Sequence, residues 1–287
     1  MRNSSHRECL RGTILALAIC VFASLKAEPQ QPSEKGGPEN SKVEIVAQAW
    51  LQQPKGVIHG GNGDVGIDLQ RDLNFKRQYN FLGIFNWRFA RKHHLIFESN
   101  PSSAERTTTL DRTITFRGET FSAGASTRTE LQTFHFYPQY QYNVILRRRG
   151  HLGLNFGVDL FRINADLSAV ANTTGPGGTQ TATRTASGSL FAGLPTGGLE
   201  GRIFPIPGHD WLNVSGHIRG MYFFGYGKYL ETRLNGELRL TSHLGAQGGY
   251  QFLRETEIHN KASDVNANRF GFALKYYGPL VGATFRW

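Results

Sequence analysis

Cysteine is almost missing from this chain. Only Cys9 and Cys20 occur among 287 residues, so from residue 21 onward there is no thiol. That excludes disulfides, zinc–thiolate centres and cysteine nucleophiles over nearly the whole length. Long apolar runs are missing as well: beyond Thr13–Ser24, no stretch is long enough to cross a membrane as a helix. Hydrophobic residues reach only 39% and methionine occurs twice. What is present in quantity is glycine (34), phenylalanine (20) and tyrosine (10), the composition of strands and turns.

Arg2, Arg7 and Arg11 precede the apolar run, and Leu25-Lys26-Ala27 offers a small residue before Glu28. This layout predicts a secretory signal peptide over residues 1–27, and hence an exported protein. An exported chain without disulfides needs another source of stability, and a closed sheet is one. The formal charge is +10; without residues 1–27, which hold four basic residues and one acidic, it is +7. A basic chain in the cytoplasm would suggest nucleic acid, but export points to anionic lipid headgroups, and no nucleic-acid partner is expected. Residues 28–41, EPQQPSEKGGPENS, are polar and rich in Pro and Gly, a disordered lead-in.

From residue 42 the chain alternates. In Leu230–Leu240 the even positions are Leu230, Thr232, Leu234, Gly236, Leu238 and Leu240, and the odd ones Glu231, Arg233, Asn235, Glu237 and Arg239. Extended backbone sends these sets to opposite faces. Either the leucines pack on a water-soluble core, or they face lipid and the charges line a barrel. The same alternation marks 43–51, 79–89, a segment from His93, 133–146, 151–160, 189–203, 212–224, 244–252 and 269–287, about ten strands in all. Phase changes at Phe161 and around Gly278-Pro279 predict bulges.

Connections at 90–93, 147–150, 205–210 and 241–243 are short, whereas 52–78, 102–124, 171–188 and 255–268 are long and polar; only 225–228 breaks the rule. Short turns at one end and long loops at the other, with an even strand number, describe a transmembrane β-barrel. A soluble sandwich has no reason for that asymmetry. The expected fold is therefore all-β, an antiparallel up-and-down barrel of about ten strands over residues 42–287.

The last six residues, Gly282-Ala283-Thr284-Phe285-Arg286-Trp287, resemble the C-terminal assembly signal of bacterial outer-membrane barrels, carried by Gly282, Phe285 and Trp287. Trp287 stands where Phe is usual, and Leu280 replaces the polar residue usual two before the glycine. The wider chain resembles small outer-membrane barrels of the OmpA, OmpX and OmpW type, with more strands. The resemblance implies insertion by the barrel-assembly machinery and residence in the bacterial outer membrane among its lipids and lipopolysaccharide.

With apolar faces outward, the lumen would receive Arg88, Asp159, Glu200, Arg202, His217, Arg219, Glu231, Arg233, Glu237, Arg239 and Arg286. Both signs confined in a narrow space must pair, which predicts an ion-paired, largely plugged lumen; the alternative is a narrow polar channel for small solutes or ions. Gly61–Gly66 matches GxGxxG but lies in a loop. Asp64, Asp68 and Asp72, four residues apart there, fit no calcium-loop ligand order and read as a solvated face. Five histidines, His93, His94, His151, His209 and His243, fall at the short turns, where an interfacial role is expected over a metal ring; Arg91, Lys92 and Arg147–Arg149 beside them would meet lipid headgroups or solvent. Ten strands is also the architecture of the omptin proteases, whose motifs are absent. His59, Asp64, His259 and Asp264 are the loose candidates for a rim hydrolase. The expectation is no enzyme, no cofactor and no metal.

Overall fold

The computed structural model describes residues 39, 41–60, 66–175, 178–223, 227–259 and 271–287, with side chains for all of these but 171–182, 223 and 256–259. The leader 1–27 and nearly all of 28–41 lie outside the described residues, as do Asp64 and Asp264. The described residues form thirteen strands: β1 (Val43–His59), β2 (Ile67–Asp68), β3 (Gln78–Ala90), β4 (His93–Thr109), β5 (Ile114–Phe116), β6 (Glu119–Phe121), β7 (Ser126–Arg147), β8 (Gly150–Gly175), β9 (Gly178–Ile203), β10 (Leu212–Phe223), β11 (Gly227–Arg239), β12 (Leu244–His259) and β13 (Gly271–Arg286). Eleven of them, all but β5 and β6, share one antiparallel sheet; ten of these, all but the short β2 that pairs with the far end of β1, follow in sequence order and close by pairing β13 with β1. The fold is a ten-stranded up-and-down barrel.

The seam runs from Glu44↔Arg286 to His59↔Gly271. Its short-turn end is tied by the chain terminus, where Lys42 N and Val43 N donate to the Trp287 carbonyl at 2.6 and 3.1 Å and Trp287 N donates back to Val43 at 3.0 Å. Gly282 sits on this seam because nothing larger fits: a Cβ there would stand 2.1 Å from the Ala47 carbonyl oxygen. Gly282, expected as part of an assembly signal, therefore has a packing role within the finished barrel. Phe285 and Trp287 point outward and stack at 6.4 Å.

Side-chain burial decides which face looks where. Along β11, Tyr229, Glu231, Arg233, Asn235 and Glu237 are buried while Leu230, Leu234 and Leu238 are exposed, Leu234 at 61%. The same inversion of the soluble rule runs round the barrel through Phe81, Phe85, Phe156, Ile218, Tyr250 and Val281. A continuous apolar band of this kind is not tolerated by water, and it belongs against hydrocarbon. Tyr79, Phe134, Phe191 and Tyr222 edge it at the long-loop end; Trp87, Phe89, Trp211 and Trp287 edge it at the short-turn end. These are the aromatic girdles of a membrane-spanning barrel.

The long-loop side departs from expectation. Residues 102–109, 171–175 and 178–188, read as loop, are strand: β8 and β9 pair from Gly150↔Ile203 to Gly175↔Gly178. No bulge accompanies the phase change at Phe161. Asp159, Phe161, Ile163, Ala165 and Leu167 all stay buried on one face, while Leu160 gives way outside to Arg162, Asn164 and Asp166. In β13 the change around Gly278-Pro279 has the same origin, with Phe272, Leu274, Tyr276 and Leu280 inside and Lys275 outside beyond Tyr277. The strands leave the hydrocarbon there, so water takes the outer face and apolar side chains fill the inner one. Register shifts occur elsewhere, between Arg88 and Ala90, Asn143 and Ile145, and Glu255 and Ile258.

That inner filling is a core in its own right. Leu131, Phe161, Ile163, Leu253, Phe272 and Leu274 from the wall pack with Ile67, Leu69, Leu73 and Phe75 from the β1–β3 connection and with Ile114, Phe116 and Phe121 from the β5–β6 hairpin. Arg112 docks this connection by donating to Asp72 at 2.6 and 3.0 Å and to the Gly66 carbonyl at 2.9 Å. Asp72 is thus a buried ion-pair partner and not part of a solvated face, and Asp68 caps a turn by accepting from the backbone of Gln70 and Arg71. The tail of GxGxxG, Gly66, leads into β2 with no helix to cradle a phosphate.

Two expected outcomes follow from this packing. Leu234→Arg, in mid-band, should lower stability by about 2–4 kcal/mol in urea titrations of the vesicle-embedded protein, while Ser187→Arg, outward but above the band, should change it by less than about 0.5 kcal/mol. The hydrogen bonds from Arg112 hold the Asp72 carboxyl at about 2, against an ordinary 3.8, despite its burial. A depressed carboxyl stabilises above its unfolded value, so on the order of 2 kcal/mol of docking energy should vanish as pH falls from about 4 to about 2. Amide exchange over residues 67–75 should accelerate in that window, and Asp72→Asn should accelerate it at pH 6.

Candidate functional site

The barrel interior below the apolar core is lined by charge, in three tiers. Nearest the short turns, Arg202 donates to both oxygens of Glu44 at 2.6 and 3.1 Å, Arg286 donates to Glu44 at 2.7 Å, and Arg286 also holds Glu237 with both guanidinium amines. Asn213 donates to Glu237 at 3.0 Å and Asn155 to Glu200 at 3.1 Å. Glu39, from the lead-in, enters this mouth: its carboxylate meets His151 Nδ1 at 2.9 Å and its carbonyl accepts from Arg88.

One step deeper, four charges from three strands interlock. Arg219 of β10 donates to Glu231 of β11 at 2.7 and 2.9 Å and to Glu98 of β4 at 3.0 Å. Arg233 also donates to Glu98, and to Glu231 at 3.2 Å and Gln251 at 2.9 Å. Arg219 lies 4.0 Å over the Tyr137 ring, His217 meets Glu231 at 3.0 Å, and the Tyr229 hydroxyl donates to Glu231. Register brings them together, since Arg219 pairs with Glu231 and His217 with Arg233 across β10 and β11. Two carboxylates and two guanidiniums cancel, which is what lets them sit at 5% exposure or less.

The third tier lies just under the apolar core. His135 of β7 stands between two carboxylates, Asp159 of β8 at 3.2 Å from Nδ1 and Glu255 of β12 at 3.4 Å from Nε2. Tyr137 bridges this tier to the one below, its hydroxyl 3.2 Å from His135 Nδ1 and 2.6 Å from the Tyr229 hydroxyl. Between the first two tiers a cavity of about 60 Å³ remains, bordered by Glu98, Gln139, Arg202, His217, Asn235 and Gln247 among others.

The expected lumen residues fall into these tiers unevenly. Arg202, Glu237 and Arg286 join the mouth with Arg88 and Glu200; His217, Arg219, Glu231 and Arg233 make the second tier; Asp159 joins the third. Arg239 stands apart at the short-turn rim, paired at 2.8 Å with the exposed Asp210. Sequence reasoning missed Glu44, Glu98, His135 and Glu255. Each occupies an inward position of an alternating strand, so the signal was present; Glu98, for instance, falls between outward Phe97 and Ser99.

The short-turn histidines take separate tasks. His93 is outward, 2.6 Å from the Tyr140 hydroxyl and packed against Phe89 and Tyr142, an interfacial setting. His94 and His151 face inward and stack on each other at 6.4 Å, and His243 meets the Arg286 carbonyl at 3.0 Å. His209 sits in the exposed turn before β10.

The barrel is similar in fold to the outer membrane protease OmpT from Escherichia coli, with a TM-score of 0.57 at 11% identity over 89% of this chain and 99% of that one. The chain is a transmembrane β-barrel of the outer-membrane type. Looser likenesses to this barrel are the translocator domain of the autotransporter NalP from Neisseria meningitidis (TM-score 0.39, 10% identity, 99% and 97% covered) and the toluene transporter TodX of P. putida (0.37, 7%, 88% and 93%). No protein-family model and no curated protein matches the sequence.

The second tier should dominate the barrel's stability. Glu231→Gln leaves Arg219 and Arg233 to share Glu98, one positive charge in excess in a closed interior, and should cost about 3–5 kcal/mol, read as the urea midpoint of the heat-modifiable gel band. Arg239→Gln removes only a rim pair and should cost less than about 1 kcal/mol.

Proposed function

We propose that this barrel serves as a closed structural or surface-interaction element of the bacterial outer membrane, not as an open pore or an enzyme. One observation carries the reading: from the mouth inward, ion pairs, the His135 tier and then an apolar core succeed one another along the axis. The cavity of about 60 Å³ between them has room for a handful of waters only. A solute path would have to break buried ion pairs at two levels.

Surface interaction is supported by the strands that outlast the membrane. β7, β8 and β9 carry Arg128, Glu130, Arg162, Asp166 and Arg184 outward above the aromatic girdle. At that level an open groove of about 410 Å³ combines Phe134 with Gln132, Arg162 and Asn164 on the outer wall. An apolar lower lip and a polar upper one suit a lipid headgroup, lipopolysaccharide included. Outward exposure of Phe285 and Trp287 supports their recognition by the barrel-assembly machinery.

The narrow-pore reading predicts a different measurement. In planar bilayers the wild-type protein should give no reproducible single-channel steps, and the double substitution Arg219→Ala, Glu231→Ala should give none either, because the mouth tier and the apolar core still close the axis. Reproducible steps from the wild type would replace the closed-barrel reading with a channel. A hydrolase, as the name of the E. coli protease suggests for that protein, would need reacting groups open to substrate. His135 and Asp159 sit at 3% exposure or less beneath the apolar core.

A further inference from the structure

Charge is balanced in the second tier and unbalanced in the third. Arg219 and Arg233 are both committed to Glu98 and Glu231. Asp159 and Glu255 have no arginine or lysine ion pair among the described residues; they share a single imidazole. With His135 neutral this tier carries two negative charges in a closed interior, and with His135 protonated it still carries one. An uncompensated buried carboxylate costs several kcal/mol.

The geometry shows where a missing positive charge would go. Asp159 faces the Nδ1 edge of His135 with both oxygens, at 3.2 and 3.4 Å. An Nδ1–H donated there leaves the Nε2 lone pair pointing away from Asp159. On that side stands Glu255 Oε1, shielded from solvent, 3.4 Å from Nε2 and without a hydrogen-bond partner among the described residues. A buried imidazole lone pair beside an unpartnered carboxylate oxygen, with a second carboxylate behind the ring, supplies two ligands and the outer-shell partner of a divalent-metal site, water completing the coordination. One potential ligand atom from each of His135, Asp159 and Glu255 lies within 4.8 Å of the other two.

We propose that His135 Nε2 and Glu255 bind one divalent cation of the zinc class, with Asp159 fixing the tautomer and orientation of the imidazole. The mixed nitrogen and oxygen donors favour zinc over calcium or magnesium, which prefer oxygen alone. A bound dication cancels the two carboxylates with His135 neutral. It also ties β7 to β12, which are not neighbours in the sheet, across the barrel. The site is roofed by Phe161 and Phe272, so the metal would enter as the barrel closes and would have a structural task.

The test is refolding of the full chain from urea into detergent micelles with equimolar zinc, followed by dialysis against a weak chelator, metal analysis and zinc-edge X-ray absorption. Folding is scored separately by heat-modifiable mobility. The folded wild type should retain about one zinc, with nitrogen and oxygen neighbours at about 2.0–2.2 Å, and zinc should raise its urea midpoint. Glu255→Gln should retain none, and Asp159→Asn should weaken retention about 10–100-fold. A folded wild type that retains no zinc overturns the proposal, leaving His135 as an imidazolium between two carboxylates. Equal retention by Glu255→Gln places any zinc elsewhere and overturns it too. Should Glu255→Gln fail to fold, the wild-type absorption spectrum decides, because a shell without an imidazole nitrogen excludes His135.

Discussion

Every backbone amide and carbonyl that enters hydrocarbon must find a partner within the protein, and for strands the only complete solution is a sheet without edges. The pairing of β13 with β1 supplies it. Much else in this chain is subordinate to that closure. Gly282 is small because β1 crosses so close to it, and Trp287 binds back to Val43 because the last strand must be held where the first begins. Once the sheet is closed, alternation sends half of all side chains into a space that ten strands leave just wide enough to fill.

What fills it divides at the membrane boundary. Inside the bilayer span, the inner face carries arginines and glutamates that cancel in compact groups, each acceptor reached by more than one donor. Beyond it, the inner face becomes hydrocarbon, sealed by segments folded in from the β1–β3 and β4–β7 connections. Ion pairs bring little net stability where they form, yet breaking one is costly. The charged tiers therefore specify which strands meet, and the apolar core supplies the hydrophobic burial that a barrel with a polar lumen lacks.

The fold was legible in the sequence because alternation, loop asymmetry and the aromatic end all depend on local pattern. Leu230–Leu240 shows it plainly, since its direction needed only the membrane to be known. The long-loop half was misread for one reason. Phe161 and Phe272 continue the inward phase, but the change of solvent outside makes inward mean apolar, which in sequence looks like a slipped register. Asp159 was legible as a lumen residue and His135 and Glu255 stand at inward positions, but their convergence was not legible, because it is assembled by three strands whose relative stagger no local pattern records. Glu98 is the same case: its strand position showed it facing in, but not that it would meet both Arg219 and Arg233.

The reversal of outer chemistry along β7, β8 and β13 also acts as a waterline. Between Phe134 and Gln132, Leu160 and Arg162, and Tyr277 and Lys275, a single pair of positions separates a side chain suited to oil from one suited to water. Sinking the barrel by that one step would carry Arg162 and Lys275 into hydrocarbon, and raising it would lift Phe134 and Tyr277 clear. Each basic residue drawn just inside the interface costs up to about 1 kcal/mol, rising to about 2–4 kcal/mol at the midplane, so depth is held from both directions. A protein so pinned offers its projecting strands at a constant height above the bilayer, whatever approaches them.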